Sequence, residues 1–273
     1  MSANGRPEAQ AIEGTRVRPS IIGHRGAAGH APENTLASFS AAIALGVDAV
    51  EFDVQFTADG CPVVMHDETL GRMAGVPARI HDYTAAVLQG FDIGFLYGSE
   101  YRGLRVPAVA DVAGLVHPPV ELHVEIKDYD PIDDDRIAAL VETLAKHGGL
   151  SRVIFSSPHE ETITRILGLA PGVRTALLLF KRVAVPEDAA RRAAHIGCAA
   201  LNPDASLVTP ELVQLCHRHG MQVLTFTVNE RGTMRKLMQM DVDGFFSDYP
   251  DRLMSAISAG HDSDNPADDE AER

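Results

Sequence analysis

At 273 residues, with 45% hydrophobic and 23% charged side chains, the chain has ordinary globular composition and ample length to bury a core. A net charge of −14 excludes nucleic acid and an anionic membrane surface as main partners, because phosphate-rich surfaces recruit clustered Lys and Arg. Cys61, Cys198 and Cys216 are odd in number and widely spaced, which excludes a disulfide framework and a zinc signature.

Residues 1–19 carry Arg6, Arg16 and Arg18 but no apolar stretch, and read as a flexible segment rather than a secretory signal. The longest apolar runs, such as 175–180, are too short to cross a bilayer. No stable membrane insertion is expected, and a soluble cytoplasmic protein is the default. From residue 20 onward, short β-like runs at 20–23, 49–54, 120–126, 153–156, 174–178, 199–201, 222–226 and 244–247 alternate with amphipathic stretches. The helices are expected at 35–45, 109–116, 133–147, 158–169, 186–196, 209–219, 230–240 and 250–259. Asn34 is the expected cap of the first helix, and Gly148-Gly149 stops the third. The polar, acidic stretch 260–273 lacks an apolar face and reads as a disordered tail.

Parallel strands need a helical crossover, so this alternation predicts a parallel sheet, and eight such units in 20–259 fit a (β/α)₈ TIM barrel. No GxGxxG follows the first strand, which disfavours an open doubly wound sheet. Residues 68–106 break the rhythm, being rich in Gly and in Tyr83, Phe91, Phe95, Tyr97 and Tyr101. A stretch of this length is expected to be a small insertion after the second βα unit, over the barrel mouth and shaping its pocket; the alternative is a solvent-facing excursion with a little core of its own.

Strand residues two apart share a face, so Glu51 points with Asp53, and His123 with Glu125 and Lys127. A barrel interior holds such groups cheaply only if they are paired or bind a cation. Glu51, Asp53 and Glu125 at neighbouring strand ends would make an all-oxygen site for one divalent cation, Mg²⁺ or Ca²⁺. Two blander readings stay open: a solvated Glu51–Asp53 edge pair, and a structural ion pair of Glu125 with Lys127. His24 and His66 each follow a strand-like run, beside Arg25 and Asp67, and suit acid–base chemistry near neutral pH. Arg25 offers a planar cation for a phosphate oxygen and Lys127 a point charge for another, with Glu33 as a candidate partner for Arg25 or His24.

His24-Arg25-Gly26, Pro32-Glu33-Asn34-Thr35, Glu51-Phe52-Asp53-Val54, Asp59-Gly60, His66-Asp67, Glu125-Ile126-Lys127, Val242-Asp243-Gly244 and Ser247-Asp248-Tyr249-Pro250 follow in that order. In this order and spacing they resemble the glycerophosphodiester phosphodiesterases over residues 20–259. The resemblance implies a (β/α)₈ barrel with an insertion after the second unit. It also implies a hydrolase of lipid and glycerol metabolism that converts a small glycerophosphodiester to glycerol 3-phosphate and an alcohol. The implied metal ligands are Glu51, Asp53 and Glu125, the acid–base pair His24 and His66, and the phosphate contacts Arg25 and Lys127. Two positions depart from the family's pattern: Phe226 stands where a Trp is usual, and Ser156-Ser157-Pro158-His159 replaces a Ser-Phe motif. Rival readings are a lysophospholipase D, with Phe91, Phe95, Leu96 and Tyr97 as an apolar extension, a lyase forming a cyclic phosphate, and a non-enzymatic phospholigand binder. No oligomeric state follows from the sequence.

Overall fold

The computed structural model describes residues 18–127, 129, 132–183 and 185–259. Residues 1–17 of the expected flexible segment and the expected acidic tail at 260–273 lie outside the described residues. The strands are β1 (Ser20–Gly23), β2 (Ala49–Phe56), β3 (Pro62–Val64), β4 (Glu121–Ile126), β5 (Val153–Ser157), β6 (Arg174–Leu179), β7 (Ala200–Pro203), β8 (Gln222–Thr225) and β9 (Gly244–Ser247). All but β3 lie side by side in parallel, in the ring order β1-β2-β4-β5-β6-β7-β8-β9. The ring closes where β1 pairs with β9 along its whole length, Ser20 opposite Gly244 and Gly23 opposite Ser247. This is the expected (β/α)₈ barrel. β3 runs antiparallel to the far end of β2, Val54 opposite Val64; three residues are too few for alternation to mark as a strand.

The helices are α1 (Leu36–Leu45), α2 (Gly71–Ala74), α3 (Ala85–Leu88), α4 (Val109–Leu115), α5 (Asp134–Lys146), α6 (Glu160–Leu169), α7 (Pro186–Ile196), α8 (Pro210–Arg218), α9 (Arg231–Met238) and α10 (Pro250–Ala259). Their ends follow local chemistry. Asp133 caps α5 by accepting from the Arg136 amide at 2.8 Å, acidic residues fill its first turn and Lys146 its last, each sign matching the helix dipole. α1 corrects one expectation: its cap is Thr35, whose hydroxyl accepts from the Ser38 amide at 3.2 Å, and not Asn34. Asn34 sits one residue earlier with φ +56 and is occupied elsewhere.

Period-two alternation gives each strand two jobs. The outward residues Val50, Phe52, Val54 and Val124 are fully buried against helix residues such as Phe39, Ile137 and Leu140. Truncating one of these, for instance Phe52→Ala, is expected to cost about 3–5 kcal/mol. Inward, Ile22, Ala49, Ile154, Ala176, Ala200, Leu224 and Phe246 form an apolar plug. Two residues further along β2, the same face carries Glu51 and then Asp53. The plug thus floors a polar layer at the C-terminal ends of the strands, where barrel sites are built.

The insertion makes a second cluster of its own, in which Leu70, Met73, Ile80, Leu88 and Ile93 are fully buried with Val63 and Met65 of the β3 segment. Among the described residues no helix is long and apolar enough to cross a membrane.

Candidate active site

The site begins at the turn after β1. Arg25 takes φ +53 and Gly26 φ +86. A Cβ on Gly26 would lie 2.6 Å from the Ser38 carbonyl carbon, so only glycine lets the turn press against α1. The turn is latched by the Ser38 hydroxyl, which donates to the Arg25 carbonyl at 2.8 Å. It aims the Arg25 amide at Glu51 Oε2, 2.9 Å away, while the guanidinium reaches Glu33 at 2.9 Å and Asp53 at 3.2 Å. Glu33 is therefore a partner of Arg25, one of the two roles the sequence offered for it.

Glu51, Asp53 and Glu125 each offer an oxygen within 4.8 Å of the others, and all three residues are buried. Exposures of 4% and 1% for Glu51 and Asp53 rule out a solvated edge pair. The ion pair of Lys127 with Glu125 is present, and Lys127 also lies 2.9 Å from Asp53 Oδ1. Asn34 donates to Asp53 Oδ2 at 2.7 Å, which is its actual task. Three carboxylates thus face two cations, Arg25 and Lys127. Burial alone would raise the Asp53 carboxyl, but Lys127 and Arg25 outweigh it and hold Asp53 well below the usual range. With no cation left to pair with it, Glu51 is pushed up to about 8 by burial and by the Asp53 charge and keeps its proton at neutral pH; Glu125 also moves up, chiefly through burial. A converged, oxygen-only donor set with more carboxylates than cationic partners fits a hard divalent cation, which would release that proton.

Two histidines flank the carboxylates, each oriented by an aspartate. His24 Nδ1 lies 2.7 Å from Asp248 Oδ1, and Asn229 fixes that aspartate by donating to Oδ2 at 2.6 Å and accepting from its amide at 2.9 Å. Burial pulls His24 towards its neutral form, but its hydrogen bond to Asp248 and the Glu51 charge outweigh it, so the net shift is upward. Burial also opposes ionisation of Asp248, but its bond to His24 prevails and the carboxyl is lowered. A carboxylate only accepts, so Nδ1 carries the proton and Nε2 is left for chemistry. His66 repeats the arrangement, its Nδ1 2.7 Å from Asp67 Oδ1. Arg72 of the insertion spans Asp67 and Glu33, donating to Asp67 Oδ2 at 2.8 Å and to Glu33 Oε1 at 2.7 Å.

All seven residues singled out in the sequence are thereby brought to one place. Six of them, His24, Arg25, Glu51, His66, Glu125 and Lys127, line a cavity of about 300 Å³; Asp53 lies behind, held by Lys127 and Arg25. The opposite wall comes from β5 to β8 and the loops after them: Ser156, Leu178, Phe180, Lys181, Asn202 and Phe226. No lining residue comes from 68–106, so Phe91, Phe95, Leu96 and Tyr97 form no extension of this cavity. Sequence reasoning missed the orienting pair Asp248–Asn229, the Asn34 contact, the Arg72 bridge and the polar residues of the far wall. The available signal was position: Ser156, Asn202 and Asp248 all stand at or just beyond the C-terminal end of a barrel strand.

The sequence profile of the glycerophosphoryl diester phosphodiesterase family matches residues 24–252. A glycerophosphodiester phosphodiesterase of Caldanaerobacter subterraneus subsp. tengcongensis is 31% identical over 249 residues, covering 89% of this chain and 100% of that protein. One from Bacillus subtilis is 30% identical over 272 residues, covering 93% and 92%. Among solved structures, an Oleispira antarctica phosphodiesterase in complex with the product sn-glycerol-3-phosphate superposes with a TM-score of 0.81 at 31% identity, covering 88% of this chain and 97% of that one.

Proposed function

The chain belongs to the glycerophosphoryl diester phosphodiesterase family and is a glycerophosphodiester phosphodiesterase, and from that premise we propose how its residues divide the reaction. The substrate is a small glycerophosphodiester, cleaved to glycerol 3-phosphate and an alcohol; the product bound by the Oleispira antarctica relative supports this. Glu51, Asp53 and Glu125 hold one divalent cation, Mg²⁺ or Ca²⁺, which when bound supplies a Lewis acid for a nonbridging phosphate oxygen.

Arg25 and Lys127 bind the remaining phosphate oxygens, and their fixed charges favour the extra negative charge of the in-line transition state. Their ion pairs with Asp53, Glu33 and Glu125 hold both side chains in place before substrate arrives. His24 and His66 form the acid–base pair. One takes the proton of the attacking oxygen while the other donates to the leaving alkoxide, each working through Nε2 because an aspartate occupies Nδ1. The observation that carries this reading is the pairing of two aspartate-oriented histidines with three converged buried carboxylates, two of which line the same cavity as both histidines.

The test is glycerol 3-phosphate release from glycerophosphocholine, glycerophosphoethanolamine and lysophosphatidylcholine, with chelator, Mg²⁺ or Ca²⁺. Metal-dependent release from the small diesters, lost in Glu51→Ala and His24→Ala, is expected. Choline and lysophosphatidic acid formed from the lysolipid alone would replace this reading with a lysophospholipase D. A cyclic phosphate seen by phosphorus NMR as the end product would replace it with a lyase.

A further inference from the structure

The far wall of the cavity holds an amide oxygen with no partner among the described residues. Asn202 ends the inward face of β7, is 1% exposed and lines the cavity, yet its Oδ1 has no hydrogen-bond partner among the described residues. β7 stands four strands round the ring from β2 in either direction, so Asn202 faces Glu51 across the barrel. Below it lies the apolar layer of Ala176, Ala200 and Leu224, which offers no polar group to an amide. A buried amide without a partner destabilises a fold, and native chains keep one where it meets something else. Two strands away, Ser156 at 3% exposure lines the same cavity, in register with Glu125 on its neighbouring strand.

We propose that Asn202, with Ser156, recognises the hydroxyls of the glyceryl half of the substrate, and so selects a polyol phosphate over a plain alkyl phosphate. This rests on the phosphodiesterase reading above and adds a specificity element to it. An amide can turn at its terminal torsion and present either its donors or its acceptor, and an aliphatic hydroxyl is the ligand group that answers both. Depth assigns the half. Asn202 and Ser156 are closed in, whereas Phe180, at the rim of the same wall, is 46% exposed and meets Phe226 edge to face at 5.7 Å. The small constant half of a glycerophosphodiester fits the closed end. The variable head group then faces the open rim.

The experiment titrates sn-glycerol 3-phosphate and propyl phosphate, which differ only in two hydroxyls, into the metal-loaded wild type, Asn202→Leu and Ser156→Ala. Wild type should bind glycerol 3-phosphate roughly 10- to 100-fold tighter than propyl phosphate. Asn202→Leu should erase most of that preference by weakening glycerol 3-phosphate alone, and Ser156→Ala should erase part of it. The thermal midpoint of Asn202→Leu should hold or rise, since an unpartnered amide is removed. Parallel weakening of both ligands, an undiminished preference in both variants, or a lowered midpoint with unchanged preference would each overturn the proposal. Turnover adds a head-group arm: a loss in Asn202→Leu confined to glycerophosphoglycerol, with glycerophosphocholine unaffected, would move the hydroxyls to the leaving alcohol and overturn the assignment. A wild type that hydrolyses glycerophosphocholine but does not discriminate the two phosphates defeats this inference alone. One that hydrolyses no glycerophosphodiester defeats the reading beneath it.

Discussion

The acidic wall of the barrel and the 68–106 insertion bury residues in opposite ways. On the wall, Glu51, Asp53 and Glu125 are nearly inaccessible and crowd one another, so burial there works against folding. In the insertion, Leu70, Met73, Ile80, Leu88 and Ile93 close an ordinary apolar cluster that sends no side chain into the cavity. Arg72 ties the insertion to the periphery of the site, through Glu33 and Asp67. The difference teaches that aromatic richness in a long loop is weak evidence of a binding wall, whereas carboxylates on the inward face of a strand are strong evidence of a site.

The sharpest way to break this contrast is Glu51→Gln. It should lower kcat/KM by on the order of 10³-fold, as loss of electrostatic groups at a reaction centre does. In chelator the same variant should reveal the folding penalty. Glu51 takes its proton at about 8 in the fold against the ordinary 4.5 in the unfolded chain. Between those pH values the folded state holds the extra proton, so the thermal midpoint of the metal-free wild type falls as pH rises through that window, and Glu51→Gln flattens the fall. A midpoint that rises with pH across the window would contradict the description of the wall.

Next in size is Asp248→Asn, expected to reduce kcat/KM by roughly 10- to 100-fold by leaving His24 misoriented. Because Asp248 supports the charged imidazole, the limb of the pH–rate profile that belongs to His24 should move to lower pH. An unmoved profile would make Asp248 a packing residue only.

Arg72→Ala tests the link between regions. Arg72 is itself 42% exposed, so the expected loss in kcat/KM is only about 3- to 10-fold, with a small drop in thermal midpoint. Smallest of all is the double change Phe95→Ser with Leu96→Ser, at 43% and 54% exposure. Turnover of glycerophosphocholine should stay within about 2-fold, as for surface changes away from a site. A tenfold loss would return the insertion to the pocket.

The contrast also marks what sequence can carry. Period-two alternation located the inward carboxylates, and the helix–strand rhythm located the barrel, because both are local patterns set by burial on one face. Asn34 was misjudged because the same residue type serves as a helix cap or as a donor to a buried carboxylate, and only the φ +56 turn decides between them. The orienting role of Asp248 was invisible because its partner His24 lies 224 positions away, and no periodicity spans that separation. The insertion's relation to the cavity depends on how its cluster docks on β3, a tertiary choice that its aromatic content does not encode.

The closure of β1 on β9 carries a consequence for the order in which function arrives during synthesis. The carboxylates of the acidic wall are all delivered by residue 125, within the first half of the chain. The first strand, however, waits for the last: β1 finds its β9 edge, and His24 its Asp248, only when the C-terminal strand has left the ribosome. A nascent chain, or one truncated before residue 248, therefore holds the clustered carboxylates without an oriented His24. On the acid–base role proposed for His24, competence waits until translation has passed residue 248, and turnover then reports that the ring has closed.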